Sequence, residues 1–237
     1  METNNTISNN NDDLRYNQKN IDTEIVVMTL SIISLLASLS LVFILFYKYN
    51  KLVKDKWLTH VVLMIAICDS FVSLSFSIGY PPPGRLCQFQ GFLVEFFEKC
   101  SWLWTDLLIL NIYGIVLYKK CLVSIKYGHL VIWSINIILA MLPFTDNVYY
   151  GGEGYIGGCG YQKTTNTLHW DDLSHIMLIT SLIIIIIMTF RIMIFVYTLH
   201  YDRNNGIEVT LLTHTEQLIA MEATTTMMLY PVAMVFW

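Results

Sequence analysis

Between Cys87 and Lys120 the chain reads CQFQGFLVEFFEKCSWLWTDLLILNIYGIVLYKK, an apolar body with charges set into it at helical spacing. Glu95, Glu98, Lys99, Trp102, Asp106 and Tyr113 recur so that, at about 100° per residue, they fall on one side of a single cylinder. A charge inside a membrane helix is costly and faces a bundle interior or a water-filled cavity. Such a stripe predicts a helical bundle with something to bind or conduct at its centre.

The rest of the chain supplies the bundle. Mean hydropathy is +0.53, with 55% hydrophobic and 14% charged residues, which is too apolar for an ordinary soluble domain. The apolar residues are gathered into runs at about 25–47, 58–80, 87–118, 129–150 and 173–199. Each is long enough for a hydrocarbon core of about 30 Å. A sixth run occupies 223–237 and ends with the sequence at Trp237, a length of only about 22 Å as a helix. It reads as an incomplete span, the alternative being a five-span protein with a re-entrant or surface tail. The predicted fold class is therefore all-α, a transmembrane helical bundle with five complete spans and a partial sixth. Residues 1–24 are polar, asparagine-rich and read as a disordered tail without a cleavable leader. Asn4 opens an Asn-Asn-Thr sequon that becomes a glycosylation site if this tail is outside.

Orientation follows from the basic residues. With the N-terminus outside, the inner segments carry Lys48, Lys51, Lys54, Lys56, Lys119, Lys120, Lys126 and Arg203, against Arg15, Lys19, Arg85 and Lys163 outside. The bias, about two to one, predicts a multi-pass membrane protein with its N-terminus outside. Cys87 and Cys159 then both lie on the oxidising side, where they are either a disulfide or two separate thiols. Cys68 and Cys100 fall within spans as small apolar packing residues. Cys121 falls in an inner loop.

Several of these residues together resemble a known family. The orientation, the cysteine opening the third span and the cysteine in the second outer loop look like a seven-helix G-protein-coupled receptor. Cys100-Ser101-Trp102-Leu103-Trp104-Thr105 is similar to the Cys-Trp-Leu-Trp-Thr run of the cyclic-AMP-receptor group of amoebae. Ile112-Tyr113 and Leu117-Tyr118-Lys119-Lys120 are similar to the end of that family's third helix. Ile67-Cys68-Asp69-Ser70-Phe71 resembles a second-helix stretch, and Met227–Trp237 the start of a sixth helix. The likeness runs over roughly residues 25 to 237, but only the third span carries specific motifs. It implies a seven-helix receptor type, a Cys87–Cys159 bridge, an extracellular small-molecule ligand and a heterotrimeric G protein as partner. The chain departs from the family at Gly158-Cys159-Gly160, where the family has Trp-Cys-Trp, and in its charges at Glu95, Glu98, Lys99 and Asp106. Ligand identity therefore does not carry over.

The residues themselves assign roles. Glu95, Glu98, Lys99, Trp102 and Asp106 are the expected ligand-binding wall, with Glu95 and Lys99 spaced to pair with each other. Pairing alone, with Asp106 in a structural polar network, explains the same stripe without a ligand. Asp69, midway along the second span, is expected to act as a switch or to bond a serine such as Ser73. Tyr113 sits deeper on the stripe, and Pro231 supplies a kink in the sixth span. The HWDDLSH segment at His169–His175 is a solvated loop and helix cap before it is a metal site. No Gly-rich phosphate loop, HExxH, CxxC or GxSxG occurs, so neither an enzyme nor a cofactor is expected. Partners are the bilayer, a ligand and a G protein, not nucleic acid. The intramembrane charges also suit a transporter or channel component, and an incomplete gene product that does not signal is a third reading.

Overall fold

The computed structural model describes residues 5–49, 56–79, 81–82, 84–146, 149–150, 159–161 and 170–204. The order is α1 (Asn5–Tyr49), α2 (Lys56–Ser77), α3 (Arg85–Tyr118), α4 (Ile125–Met141), a 3₁₀ turn (Leu142–Asp146), β1 (Tyr149–Tyr150), β2 (Gly160–Tyr161) and α5 (Trp170–Asn204). The strands are a two-residue antiparallel pair, Tyr149 opposite Tyr161 and Tyr150 opposite Gly160. Every other regular element among the described residues is helical. Among the described residues, five helices are long and apolar enough to cross a membrane: Glu24–Tyr47, Trp57–Ser77, Arg85–Tyr118, Ile125–Phe144 and His175–Thr198. The chain is thus a multi-pass helical membrane protein. The expected sixth span, with Pro231, and the sequon residue Asn4 lie outside the described residues.

Helix ends differ from the apolar runs for local reasons. Within the polar tail, residues 5–24 are helical rather than irregular, because α1 runs back through them to Asn5; extending an existing helix costs far less than starting one. α2 ends at Ser77, before the run does. Ile78 and Gly79 donate to the carbonyls of Ser75 and Phe76, tightening the last turn, and Gly79 takes φ +76° ahead of Pro81 and Pro82. α4 starts at Ile125 rather than 129, because Ser124 caps it: its carbonyl accepts from Gly128 N–H at 3.0 Å and its hydroxyl from Tyr127 N–H at 3.5 Å. The same helix gives way near Pro143 to the 3₁₀ turn, since proline has no N–H and disfavours helical geometry before it.

The chain forms two compact units, Met1–Ser101 with Trp133–Asp171, and Trp102–Ile132 with Asp172–Trp237. In the first, α1 and α2 meet through serines: Ser38 and Ser70 hydroxyls lie 3.0 Å apart, as do those of Ser34 and Ser73. Small residues let two backbones approach where lipid provides no hydrophobic drive, and hydroxyls cross-link them. Phe71 stacks on Phe97 of α3 at 4.3 Å between ring centroids, and Phe96 on Trp133 of α4 at 5.7 Å. In the second unit, Trp104 of α3 is fully buried, its ring edge-on to His129 of α4 at 4.7 Å. Gly128 makes this possible, because a Cβ there would stand 2.6 Å from Leu107 Cδ2. α3 is the most enclosed span, 67% of its most apolar window being buried against 6% for α1. The exposed faces of α1 and α5, with Phe43, Phe46, Ile186 and Phe190, suit hydrocarbon.

Candidate functional site

The first unit holds a built polar region at the Cys87 end of α3. Cys87 and Cys159 are disulfide-bonded across 72 residues of sequence, with Cα atoms 5.3 Å apart. Of the two possibilities left by the sequence, the bridge is the one that forms. One turn along α3 lies Gln90, which is fully buried. Its Nε2 donates to the Ser75 carbonyl at 2.7 Å and the Gly79 carbonyl at 2.8 Å, and its Oε1 accepts from the Cys159 N–H at 3.1 Å. One amide, with two donors and a carbonyl, therefore joins the end of α2, the start of α3 and the bridged segment. Sequence reading missed Gln90. The available signal was an uncharged amide three residues after a bridging cysteine, on the same helical face.

Two turns further on, Lys99 Nζ bonds the Glu95 carboxylate of the same helix. Their side chains are 6% and 17% exposed, so this is a largely desolvated pair. Glu98 is half-buried beside it. Deeper, the Ser101 hydroxyl donates to Asp69 Oδ1 of α2 at 2.7 Å. Among the described residues the Ser73 hydroxyl meets Ser34 of α1 at 3.0 Å, and the serine that bonds Asp69 is Ser101 rather than the expected Ser73. Cys68 and Cys100 are both fully buried.

The second unit holds another polar contact. Asp106, half-buried, accepts from the Ser181 hydroxyl of α5 at 2.9 Å. Trp102 is buried at 8% exposure. Tyr113 is half-buried with its ring edge-on to Tyr118 at 6.1 Å. Trp104 Nε1 is buried and has no hydrogen-bond partner among the described residues. Asn111, also buried, holds the backbone of Val123 at two points: its Nδ2 donates to the Val123 carbonyl at 3.1 Å and its Oδ1 accepts from the Val123 N–H at 2.9 Å. This clamp, too, was missed in the sequence.

The stripe residues are therefore held by two sets of contacts. Glu95 and Lys99 pair within the first unit, and Asp106 bonds α5 within the second. Among the described residues no group of three or more His, Cys, Asp or Glu side chains could hold a metal ion. Of the HWDDLSH segment, Asp172 and His175 are exposed on α5, and His169 lies outside the described residues. No protein-family model matches the chain. A comparison with curated proteins finds no match either.

Proposed function

We propose that this chain is a plasma-membrane receptor of the seven-helix type, similar to the cyclic-AMP-receptor group, with its N-terminus outside. It senses an extracellular small molecule and signals through a heterotrimeric G protein. The observation that carries the reading is the Cys87–Cys159 bridge with Gln90 beneath it. Together they hold the Cys159 segment to the end of the most enclosed span, a few residues from a desolvated Glu95–Lys99 pair. A mixed-sign wall of this kind suits a zwitterionic or cationic ligand better than a bare anion. Signalling then requires the ligand to bind one arrangement of the helices more tightly than another, since equal affinity shifts nothing.

The test is nucleotide exchange on a co-expressed heterotrimeric G protein, with cyclic nucleotides and small zwitterions as trial ligands. Ligand-dependent exchange is expected from the native chain and is lost in Cys87→Ala at equal surface expression. Exchange unchanged in that variant counts against a bridge-dependent pocket. The rival reading, a transporter or channel component, rests on the intramembrane acids Asp69 and Asp106. Cation or proton flux into vesicles that falls on Asp106→Asn, without G-protein exchange, favours it instead.

A further inference from the structure

The connection between α3 and α4 is short, basic and fastened at almost every residue. Lys119 adopts φ +57°, and its N–H donates to the Ile115 carbonyl at 3.1 Å, forming a left-handed helix cap. The Lys120 N–H donates to the Gly114 carbonyl at 3.4 Å. Leu122 folds back over Gly114 so closely that a Cβ there would lie 2.5 Å from Leu122 Cγ. Asn111 clamps Val123 at both backbone groups, and Ser124 caps α4. From this fixed backbone Lys119, Lys120 and Lys126 are exposed, with Tyr118 at 56% and Tyr127 at 69% exposure beside them. The sequence from Leu107 to Thr145 contains these three lysines and no aspartate or glutamate.

Two features point to one occupant. The lysines stand between the ends of two membrane-crossing helices, Arg85–Tyr118 and Ile125–Phe144, and so lie at headgroup level whichever way the chain is oriented. Tyrosine rings are favoured at that depth, where one end is apolar and the other wet. Lys119 also occupies a position where glycine carries no steric penalty and a side chain does. Its charge is thus presented from an exposed surface at a backbone cost that glycine would avoid. We infer that Lys119, Lys120 and Lys126 form a preorganised docking surface for the headgroups of anionic phospholipid. Because the clamp and caps have already ordered the backbone, little loop entropy is lost on binding. The inference does not rest on the receptor reading.

The test is lipid retention by the full chain, purified from vesicles of equal phosphatidylserine and phosphatidylcholine and read by native mass spectrometry. The native chain retains phosphatidylserine in preference. The variant K119Q/K120Q/K126Q loses at least about tenfold of that preference, from about fivefold per lysine near a charged surface. Lys119→Gly separates surface from fold: it raises the melting temperature by relieving the left-handed strain, yet lowers phosphatidylserine retention. An unchanged preference in both variants overturns the proposal. So does full retention in the triple variant accompanied by loss of G-protein exchange, which would assign the face to a protein partner. Equal displacement of the lipid by millimolar inorganic phosphate would make the site one for free anions and likewise overturn it.

Discussion

Lys99 and Glu95 show how a single pair decides between two readings of a polar stripe. Removing one partner of a desolvated pair leaves an uncompensated charge and costs about 3–5 kcal/mol, whereas replacing both with apolar residues is often neutral. We expect Lys99→Met to lower thermal stability in detergent by about 3 kcal/mol and Glu95→Leu/Lys99→Met to restore most of it. A stable double variant that no longer responds to ligand assigns the pair to recognition; one that still responds makes it purely structural. Gln90 carries a different burden. Gln90→Leu keeps the volume roughly but takes this partner from the Cys159 N–H and the Gly79 carbonyl, and leaves the Ser75 carbonyl with the Ile78 N–H alone. A buried unsatisfied group costs about 1–3 kcal/mol, so a loss of at least about 2 kcal/mol is expected with the disulfide still formed. Unfolding at the native temperature would show that other groups take over these bonds.

At the scale of elements, the helices were legible because the signal is length and apolarity, which the bilayer imposes on any spanning segment. Their ends were less so. The run at 129–150 misplaced α4 at both ends, since Ser124 as a cap and Pro143 as a breaker act through backbone geometry that hydropathy ignores. The α3–α4 connection is the clearest case. Its shape depends on Gly114, a mid-helix glycine that looks like a defect until Leu122 and the Lys120 carbonyl are seen against it. Gly114→Ala places a Cβ 2.7 Å from that carbonyl, so the connection has to shift. Hydrogen exchange at the Val123 amide, which the Asn111 side chain protects in the native chain, should then accelerate at least about tenfold for a loss of about 1.4 kcal/mol. No change there would mean that the loop accommodates a methyl group without releasing the clamp.

For the whole molecule, the sequence alone determined that the chain is a helical, multi-pass membrane protein. It also placed Cys87 and Cys159 where oxidation can join them, and set the charges of α3 on one face. These follow from one-dimensional quantities: run length, spacing at about 100° per residue and the count of lysines between runs. The tertiary structure decided which contacts those residues make. Asp69 meets Ser101 rather than Ser73, Asp106 meets Ser181, and the uncharged amides of Gln90 and Asn111 fasten the two connections around α3. None of these is readable from spacing. A hydrogen bond between residues 32 or 75 positions apart depends on which helix faces which and at what register, and that is set by packing across the bundle, not by the periodicity of any one helix.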